Sequence, residues 1–373
     1  MTADEYPAMS VAAGRRSGRR VLSWVLALAL LAVIGFVVFR DVGAPAPPAV
    51  TTVTGVIGSE KLSFFADPRV EDVFTANGLD VRVDPAGSRQ IATTVDLDAY
   101  DFAFPSSSPA ADKLLATHPA ARTYAPFSSP MAVATFAPIV DLLTQSGVVA
   151  PGTRTFDMRR YLELTAGGTR WDQLPGNTAF PARKNVLLST TAPCQSNSAA
   201  MYLGIASYVA NAESVVGDAA AAGAVLPAVA PLFRDQGYLP PSTEVLFEDY
   251  LSAGMGRVPM ALVYEAQYVE EALSPDPALP EGATLLYPSP TIYSRHTLVP
   301  LEPAGDRVGE LLTTNPELIA LAAQHGLRTP DPRAFADAVT ARGLPQPPTL
   351  VDVVEPPSYD NLEGMLTSLG CPA

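Results

Sequence analysis

Cysteine and histidine are scarce in this sequence. The 373 residues include two cysteines and three histidines. The histidines His118, His296 and His325 are isolated, and none has a second candidate ligand at a spacing typical of a metal site. The sequence therefore predicts neither a metal centre nor any other cofactor.

Basic residues are also few. The chain has 24 Lys and Arg residues against 38 Asp and Glu residues. Beyond residue 40, 19 basic and 36 acidic residues remain, a net charge of −17. So acidic a surface argues against nucleic acid or anionic lipid headgroups as partners. A buried pocket can still have its own local charge.

The common catalytic motifs of hydrolases are missing. No G-x-S-x-G elbow occurs at a strand–helix turn, and the S-x-x-K, S-D-N and K-T-G set is absent. Cys194 could be a nucleophile beside a helix N-terminus, but no motif ties a histidine to it. Glu60 and Glu265 could form a carboxylate pair of the kind used in sugar hydrolysis. We predict that the protein is not an enzyme, and we keep a cell-envelope hydrolase as a minor alternative.

One long apolar segment near the N-terminus contains no charged residue. Residues 21–39 form 19 consecutive uncharged positions, and Arg15, Arg16, Arg19 and Arg20 precede them. This length predicts a membrane-spanning signal anchor, and the arginines predict a cytoplasmic N-terminal segment over 1–20. A Pro/Ala linker over 40–50 would follow. We expect a single-pass protein of the cell membrane with its body outside the cytoplasm; a cleaved signal peptide is the alternative.

The full chain has 48% hydrophobic and 17% charged residues, a composition that predicts a folded body. Because an extracytoplasmic compartment is oxidising, we favour a disulfide between Cys194 and Cys371. Two free thiols are the alternative.

The residues 185–210 are the most informative stretch. Residues 185–188 predict a buried strand, a hydroxyl-rich loop follows, and helical spacing begins at Ala199. Exposed N–H groups and the positive end of the helix dipole would then meet several side-chain donors, which suits an anion or a polar ligand. A plain strand–helix turn with Ser and Asn as caps is the alternative.

The order of strand, hydroxyl-bearing loop and helix also occurs earlier in the chain. Strands predicted at 52–57, 79–83 and 100–104 each end in a small hydroxyl-bearing loop before a helix, the first of these helices over 61–77. This alternation predicts a parallel sheet whose loops meet at the carboxyl edge of the strands, where open α/β sheets bind ligands.

Five short segments in this order resemble a known family. They are Gly58-Ser59-Glu60-Lys61, Gly87-Ser88-Arg89, the run from Tyr100 to Ser107, Ser196-Asn197-Ser198, and Tyr264-Glu265-Ala266-Gln267. Together they resemble the extracellular solute-binding proteins of the type II periplasmic-binding class, which includes membrane-anchored actinobacterial members. The resemblance covers the chain from residue 52 to the C-terminus.

The resemblance implies an α/β fold of two lobes, each a mostly parallel sheet flanked by helices. Lobe one would comprise 51–137 and 286–373, and lobe two would comprise 138–285. Strand crossings would fall at 131–139 and 285–293. A small polar ligand would bind in the cleft by lobe closure, for an ABC-type transporter or a sensor. The predicted membrane anchor occupies the position at which many members of this family have a lipidated cysteine.

The predicted ligand-binding residues follow strands or precede helices on both lobes. They are Ser59, Glu60, Lys61, Ser88, Arg89, Ser106, Ser107, Ser129, Thr190, Thr191, Ser196, Asn197, Ser198, Tyr264 and Glu265. Neutral donors at helix N-termini suit an oxyanion, whereas the two glutamates suit an amine, a sugar or a peptide. Each residue also has an alternative role as a cap, a surface ion pair or core packing. A third interpretation is an envelope interaction module without a ligand.

Overall fold

The computed structural model describes residues 50–346, 348, 350 and 352–372. The predicted cytoplasmic segment, the predicted membrane span and the predicted linker up to residue 49 lie outside these residues. Within the described part, no helix is long and apolar enough to cross a membrane.

Eight strands form one continuous sheet. They are β1 (Thr51–Ile57), β2 (Leu79–Pro85), β3 (Phe102–Phe104), β4 (Tyr124–Phe136), β5 (Thr155–Asp157), β6 (Met260–Tyr264), β7 (Ala283–Ser289) and β8 (Tyr293–Pro300). Their order is β2-β1-β3-β8-β4-β7-β5, and β6 pairs with β4.

The α-helices of the described chain alternate with these strands and then form the tail. They are α1 (Leu62–Phe65), α2 (Pro68–Ala76), α3 (Ser88–Thr93), α4 (Ser108–Thr117), α5 (Ala137–Gln145), α6 (Met158–Ala166), α7 (Asn197–Ala210), α8 (Ala219–Val229), α9 (Pro231–Arg234), α10 (Thr243–Ala253), α11 (Glu265–Leu273), α12 (Pro303–Thr314), α13 (Pro316–Gln324), α14 (Pro332–Ala341) and α15 (Tyr359–Ser368). Single turns of 3-10 helix lie at Ser59–Lys61, Leu97–Ala99 and Trp171–Gln173.

The first lobe is built on β1, which pairs in parallel with both β2 and β3. The parallel arrangement predicted for the first three strands is confirmed. The single helix predicted over 61–77 is wrong, because α1 ends before Asp67 and α2 begins at Pro68. Proline favours the first position of a helix, and the Asp67 carboxylate caps the new N-terminus by accepting from the Arg69 N–H at 2.8 Å.

Strand β4 connects the two lobes. Its residues 124–130 pair with β8, and its residues 131–136 pair with β6 and β7. Both second-lobe pairings are antiparallel, whereas β5 and β7 are parallel. The expectation of a mostly parallel second sheet is therefore wrong, because the strand that enters from the first lobe runs against its neighbours.

The stretch before α7 also differs from expectation. In place of the strand predicted over 185–188, the chain makes isolated bridges at Asn185 and at Ser189, just after that segment. Side chains satisfy part of this backbone: the Tyr161 hydroxyl accepts from the Leu188 N–H at 2.7 Å, and Gln236 Oε1 accepts from the Thr190 N–H at 2.9 Å. The predicted helix is present as α7, which begins at Asn197.

The C-terminal helix α15 belongs to the core of the second lobe. Leu362, Met365 and Leu366 are buried in the same cluster as the second-lobe half of β4. The sequence interpretation had placed all of 286–373 with the first lobe. The predicted disulfide between Cys194 and Cys371 is confirmed, with Cα atoms 5.1 Å apart. It joins α15 to the loop that leads into α7.

Candidate functional site

The ends of several strands and the starts of several helices meet where the two lobes face each other. Gly58, Gly87, Ser107, Ser196 and Tyr264 occupy the N-cap positions of the helical segments there. Gln90 and Gln267 side chains accept from the Gly87 and Tyr264 N–H groups, whereas the helical segments that follow Gly58, Ser107 and Ser196 have no side-chain cap. Helices elsewhere, such as α2, α6 and α13, are capped by Asp or Asn side chains. Uncapped N–H groups need another acceptor, which a bound ligand can supply.

A cavity of ≈ 310 Å³ lies at this meeting point, and we call it the inner cavity. This volume is within the range of small-molecule sites. The first lobe supplies Ser59, Glu60 and Ser88 to its wall, and the second lobe supplies Ser196, Asn197 and Tyr264. Six of the predicted ligand-binding residues therefore meet around one cavity.

A buried ion pair stands behind the cavity wall. The Lys61 side chain is completely buried, and its Nζ donates to Glu60 Oε1 at 2.5 Å and to Ser106 Oγ at 2.8 Å. Ser106 Oγ also donates to Glu60 Oε1. Burial raises the pKa of the Glu60 carboxyl, but the Lys61 and His296 charges and the hydrogen bonds from Lys61 and Ser106 together outweigh burial and lower that pKa to about 2. Glu60 is therefore ionised at neutral pH.

His296 lies beside this ion pair and was not predicted as a site residue. Its Nδ1 is 3.8 Å from Glu60 Oε1, and neither ring nitrogen has a hydrogen-bond partner among the described residues. Burial, followed by the Lys61 charge, lowers the pKa of the imidazole to about 3. The sequence signal was alternation along β8, where Ser294, His296 and Leu298 are all buried.

Hydroxyl groups of the second lobe form a connected set at the start of α7. Ser198 Oγ lies 2.8 Å from Thr191 Oγ1 and 2.9 Å from Ser196 Oγ. Asn197 Nδ2 donates to the Tyr264 hydroxyl at 3.0 Å. Burial, then the Glu60 charge, raises the pKa of Tyr264, so its phenol stays protonated. Thr190 Oγ1 is buried and has no partner within the described chain.

Three predicted residues are engaged away from the cavity. Glu265 is fully buried and accepts from Tyr287 at 2.6 Å and from Arg328 Nε at 2.5 Å. Arg89 binds Glu363 through Nε at 2.7 and 2.8 Å. Ser129 Oγ accepts from the Ala266 N–H at 3.0 Å. These contacts are structural, so the cavity does not include these side chains.

The remaining predicted residues lie close to the wall. Ser88 Oγ accepts from the Ser106 N–H at 2.8 Å and so ties two strand-end loops together. Ser107 faces Asn197 across a small space of ≈ 20 Å³ next to the inner cavity. Sequence reasoning missed Gln90, Gln195, Ser242 and Thr243 in the wall of the inner cavity. Ser242 caps α10, and a hydroxyl residue before a helix was the available signal.

Comparison with known proteins identifies the fold. No protein-family model and no curated protein sequence matches this chain. Solved structures do match. The substrate-binding protein of an ABC transporter from Agrobacterium tumefaciens has a TM-score of 0.54 and 14% identity, covering 88% of this chain and 95% of its own.

Two further structures agree. The periplasmic binding protein AfuA from Actinobacillus pleuropneumoniae, with fructose-6-phosphate bound, has a TM-score of 0.55 and 10% identity and covers 85% of this chain and 97% of its own. The sulfate-binding protein SubI from Mycobacterium tuberculosis has a TM-score of 0.50 and 16% identity and covers 84% and 96%. The protein therefore has the two-lobed α/β fold of the type II periplasmic solute-binding proteins.

Proposed function

We propose that the protein is an extracytoplasmic solute-binding protein that captures a small polar ligand in the inner cavity. The observation that carries this proposal is a cavity whose wall comes from both lobes and contains uncapped helix N-termini. Because closure brings the two sets of residues together, ligand binding favours the closed state. By analogy with its structural neighbours, the partner is an ABC-type transporter, and a sensor role is the alternative.

The proposed ligand contacts follow from the chemistry of the wall. Ser59, Ser88, Ser107 and Ser196 supply hydroxyl groups, and Asn197 supplies an amide whose Nδ2 already donates to Tyr264. The free backbone N–H groups at the start of α4 and α7 add further donors.

The other candidate functions have less support. A carboxylate pair would need both Glu60 and Glu265 at the cavity, but Glu265 is buried against Tyr287 and Arg328. A module that only docks other proteins has no need of polar groups gathered from both lobes around a cavity. We therefore propose a binding protein and not an enzyme.

We further propose that residues 21–39 anchor the protein in the cell membrane with residues 1–20 in the cytoplasm. The uncharged run of 19 residues and the preceding arginines support this arrangement. The described body would then face the extracytoplasmic side, where the disulfide between Cys194 and Cys371 is stable.

The test is ligand identification followed by calorimetry on two variants. Small molecules that co-purify with the full chain are identified by mass spectrometry and then titrated back. We expect Asn197→Ala and Ser107→Ala each to weaken binding about 5- to 150-fold, because each removes a hydrogen-bonding group that a ligand in the cavity would bury.

Ser252→Ala is the matched control, since Ser252 is exposed on α10 and bonds to the backbone of its own helix. Unchanged affinity in both cavity variants, or ligand density outside the inner cavity, would contradict the proposal.

A further inference from the structure

The charge on the wall of the inner cavity is negative. Among the described residues that line it, Glu60 is the one charged side chain, and the others are Ser, Thr, Asn, Gln, Tyr, Gly, Pro and Ala. Lys61, which would attract an anion, is completely buried and does not line the cavity. The one charged group that these lining residues offer to a ligand is therefore a carboxylate.

One oxygen of that carboxylate is free. Lys61 Nζ, Ser106 Oγ and His296 Nδ1 all approach Oε1 of Glu60. Within the described chain no donor contacts Oε2, although the Glu60 side chain is only 7% exposed. Oε2 keeps access to the inner cavity, which Glu60 lines, so a ligand N–H or O–H group can donate to it there in a charge-assisted hydrogen bond.

The cleft continues beyond Glu60 into a larger space. Ser59 and Glu60 also line a groove of ≈ 1250 Å³, which we call the outer groove. Besides Glu60, its acidic residues are Glu244, Glu248, Glu270, Glu271 and Asp337. Partial burial, then the charges of the neighbouring Glu248 and Glu60, raises the pKa of the Glu244 carboxyl. Carboxylates therefore crowd the approach to Glu60.

The basic residues of the outer groove balance this charge only in part. Arg69 is bound to Asp67 and to Gln324, and His325 lies between Asp67 and Glu270. Arg342 is the third basic residue in its wall. Six acidic residues thus face three basic ones, which gives the cleft a negative potential that attracts cations.

We propose that the ligand carries a cationic amine, which Glu60 Oε2 receives in the inner cavity. This inference rests on the proposed function and names the ligand class of the same site. An oxyanion would meet the Glu60 charge before any positive group. A neutral sugar could bond to Oε2 but would gain nothing from the acidic outer groove.

The first experiment compares probe classes on the purified full chain by calorimetry. The probes are putrescine, spermidine and lysine as amines, sodium sulfate and sodium phosphate as oxyanions, and glucose as a neutral polyol. We expect an amine to bind, with an affinity that falls as salt rises from 50 to 500 mM, roughly as screening predicts.

The second experiment removes the carboxylates one at a time. Glu60→Gln should weaken amine binding about 10- to 150-fold, because a hydrogen bond to a charged group is lost. This change also leaves Lys61 without its ion pair, so a loss of folding could mimic the result. Glu244→Gln avoids that problem, because Glu244 is exposed, and should weaken binding about 2- to 5-fold.

The matched control is Glu310→Gln, an exposed glutamate on α12 that lies outside both cavities. It removes the same charge and should leave amine affinity unchanged. An amine affinity that is unchanged in both Glu60→Gln and Glu244→Gln would overturn the inference.

The outcomes also separate this inference from the proposed function. If sulfate, phosphate or glucose binds in place of the amines and Asn197→Ala weakens that binding, the amine assignment is wrong and the binding function stands. If none of the three probe classes binds, the result counts against both.

Discussion

His296 and His325 show how the surroundings of a histidine shift its pKa in opposite directions. His296 has no hydrogen-bond partner in the described chain, and burial lowers its pKa to about 3. For His325, burial acts in the same direction, but hydrogen bonds to Glu270 at 2.7 Å and Asp67 at 3.0 Å outweigh it and raise the pKa. His325 therefore joins two carboxylates, whereas His296 remains neutral beside Glu60.

His296 should make the protein sensitive to acid. Below pH 6.5 the unfolded chain binds a proton at this residue, whereas the folded chain does so only near pH 3. Stability therefore falls as pH drops through this window. We expect His296→Leu to remove about 2 kcal/mol of the loss between pH 7 and pH 4.5, measured by urea unfolding at both values. His118→Leu, at an exposed site, is the control; an equal loss in wild type and His296→Leu would contradict the prediction.

The Glu265–Arg328 pair should be a stability element and not a ligand contact. Glu265 is fully buried, and Arg328 donates to it through Nε at 2.5 Å and a second nitrogen at 2.8 Å. Arg328→Met leaves a buried carboxylate without its cation, which should cost about 3 kcal/mol in unfolding free energy. The double variant Glu265→Gln with Arg328→Met should recover part of this loss. If Arg328→Met unfolds like wild type in a denaturant titration, the pair does not stabilise the fold.

At the scale of elements, the loop before α7 and the C-terminal helix α15 act as one unit. The disulfide joins Cys194 in this loop to Cys371 after α15, across 177 residues of sequence. Arg89 on α3 then connects this unit to the first lobe by binding Glu363 and the carbonyl oxygens of Cys194 and Pro372.

Removal of the disulfide should destabilise the folded protein without abolishing the site. We expect Cys194→Ser with Cys371→Ser to lose about 2–5 kcal/mol in chemical unfolding, because the crosslink restricts the unfolded chain. A thiol titration of the unfolded, unreduced wild-type protein should detect no free thiol. Wild-type protein in reductant provides the comparison and should match the double variant. Equal stability with and without the bridge would refute its role.

Arg89 should hold the two lobes together. It is on α3, where Ile91 packs with Val56 of the first lobe, whereas its partner Glu363 is on α15 in the second-lobe core. Arg89→Ala removes a largely buried ion pair. This change should destabilise the closed state relative to the open state by about 1 kcal/mol. Small-angle scattering should then give a larger radius of gyration without ligand.

Lys113→Ala is the control for this measurement. Lys113 also reaches α15, where it meets Asp360 at 3.6 Å, but the Asp360 side chain is 86% exposed. An exposed pair of this kind contributes little. Identical scattering from the Arg89 and Lys113 variants would remove Arg89 from the closure mechanism.

At the scale of the whole molecule, the long strand β4 determines how the lobes relate. Its first half pairs with β8 and its second half with β6 and β7, so this one strand belongs to the first-lobe part and to the second-lobe part of the sheet. The inner cavity lies between the two cores that these half-strands support. Any opening movement must therefore bend the chain where β4 changes partners and where β7 passes to β8.

The topology of the whole chain is testable in cells. We expect protease added to intact cells to digest the body and to leave residues 1–20 protected, because arginines before an apolar span favour a cytoplasmic N-terminus. A variant without residues 21–39 should not associate with the membrane. Release of a shortened wild-type protein into the medium would show that the segment is cleaved as a signal peptide.

The sequence by itself determined the local features of this protein. The parallel β1–β3 unit and the start of α7 near Ser196 follow from short-range periodicity and capping chemistry, because helix and strand periods repeat over a few residues. The pairing of Cys194 with Cys371 joins distant residues, but it follows from the cysteine count, because the chain has two cysteines.

Only the tertiary structure decided which polar residues face the ligand cavity. Glu60 and Glu265 both follow a strand, yet Glu265 meets Arg328, 63 residues away, and Glu60 lines the cavity. Arg89 meets Glu363 across 274 residues, and α15 packs into the second core. Such partners are set by packing between distant segments. A local sequence pattern does not indicate which distant residue a side chain will contact. It therefore cannot distinguish a ligand contact from a buried ion pair.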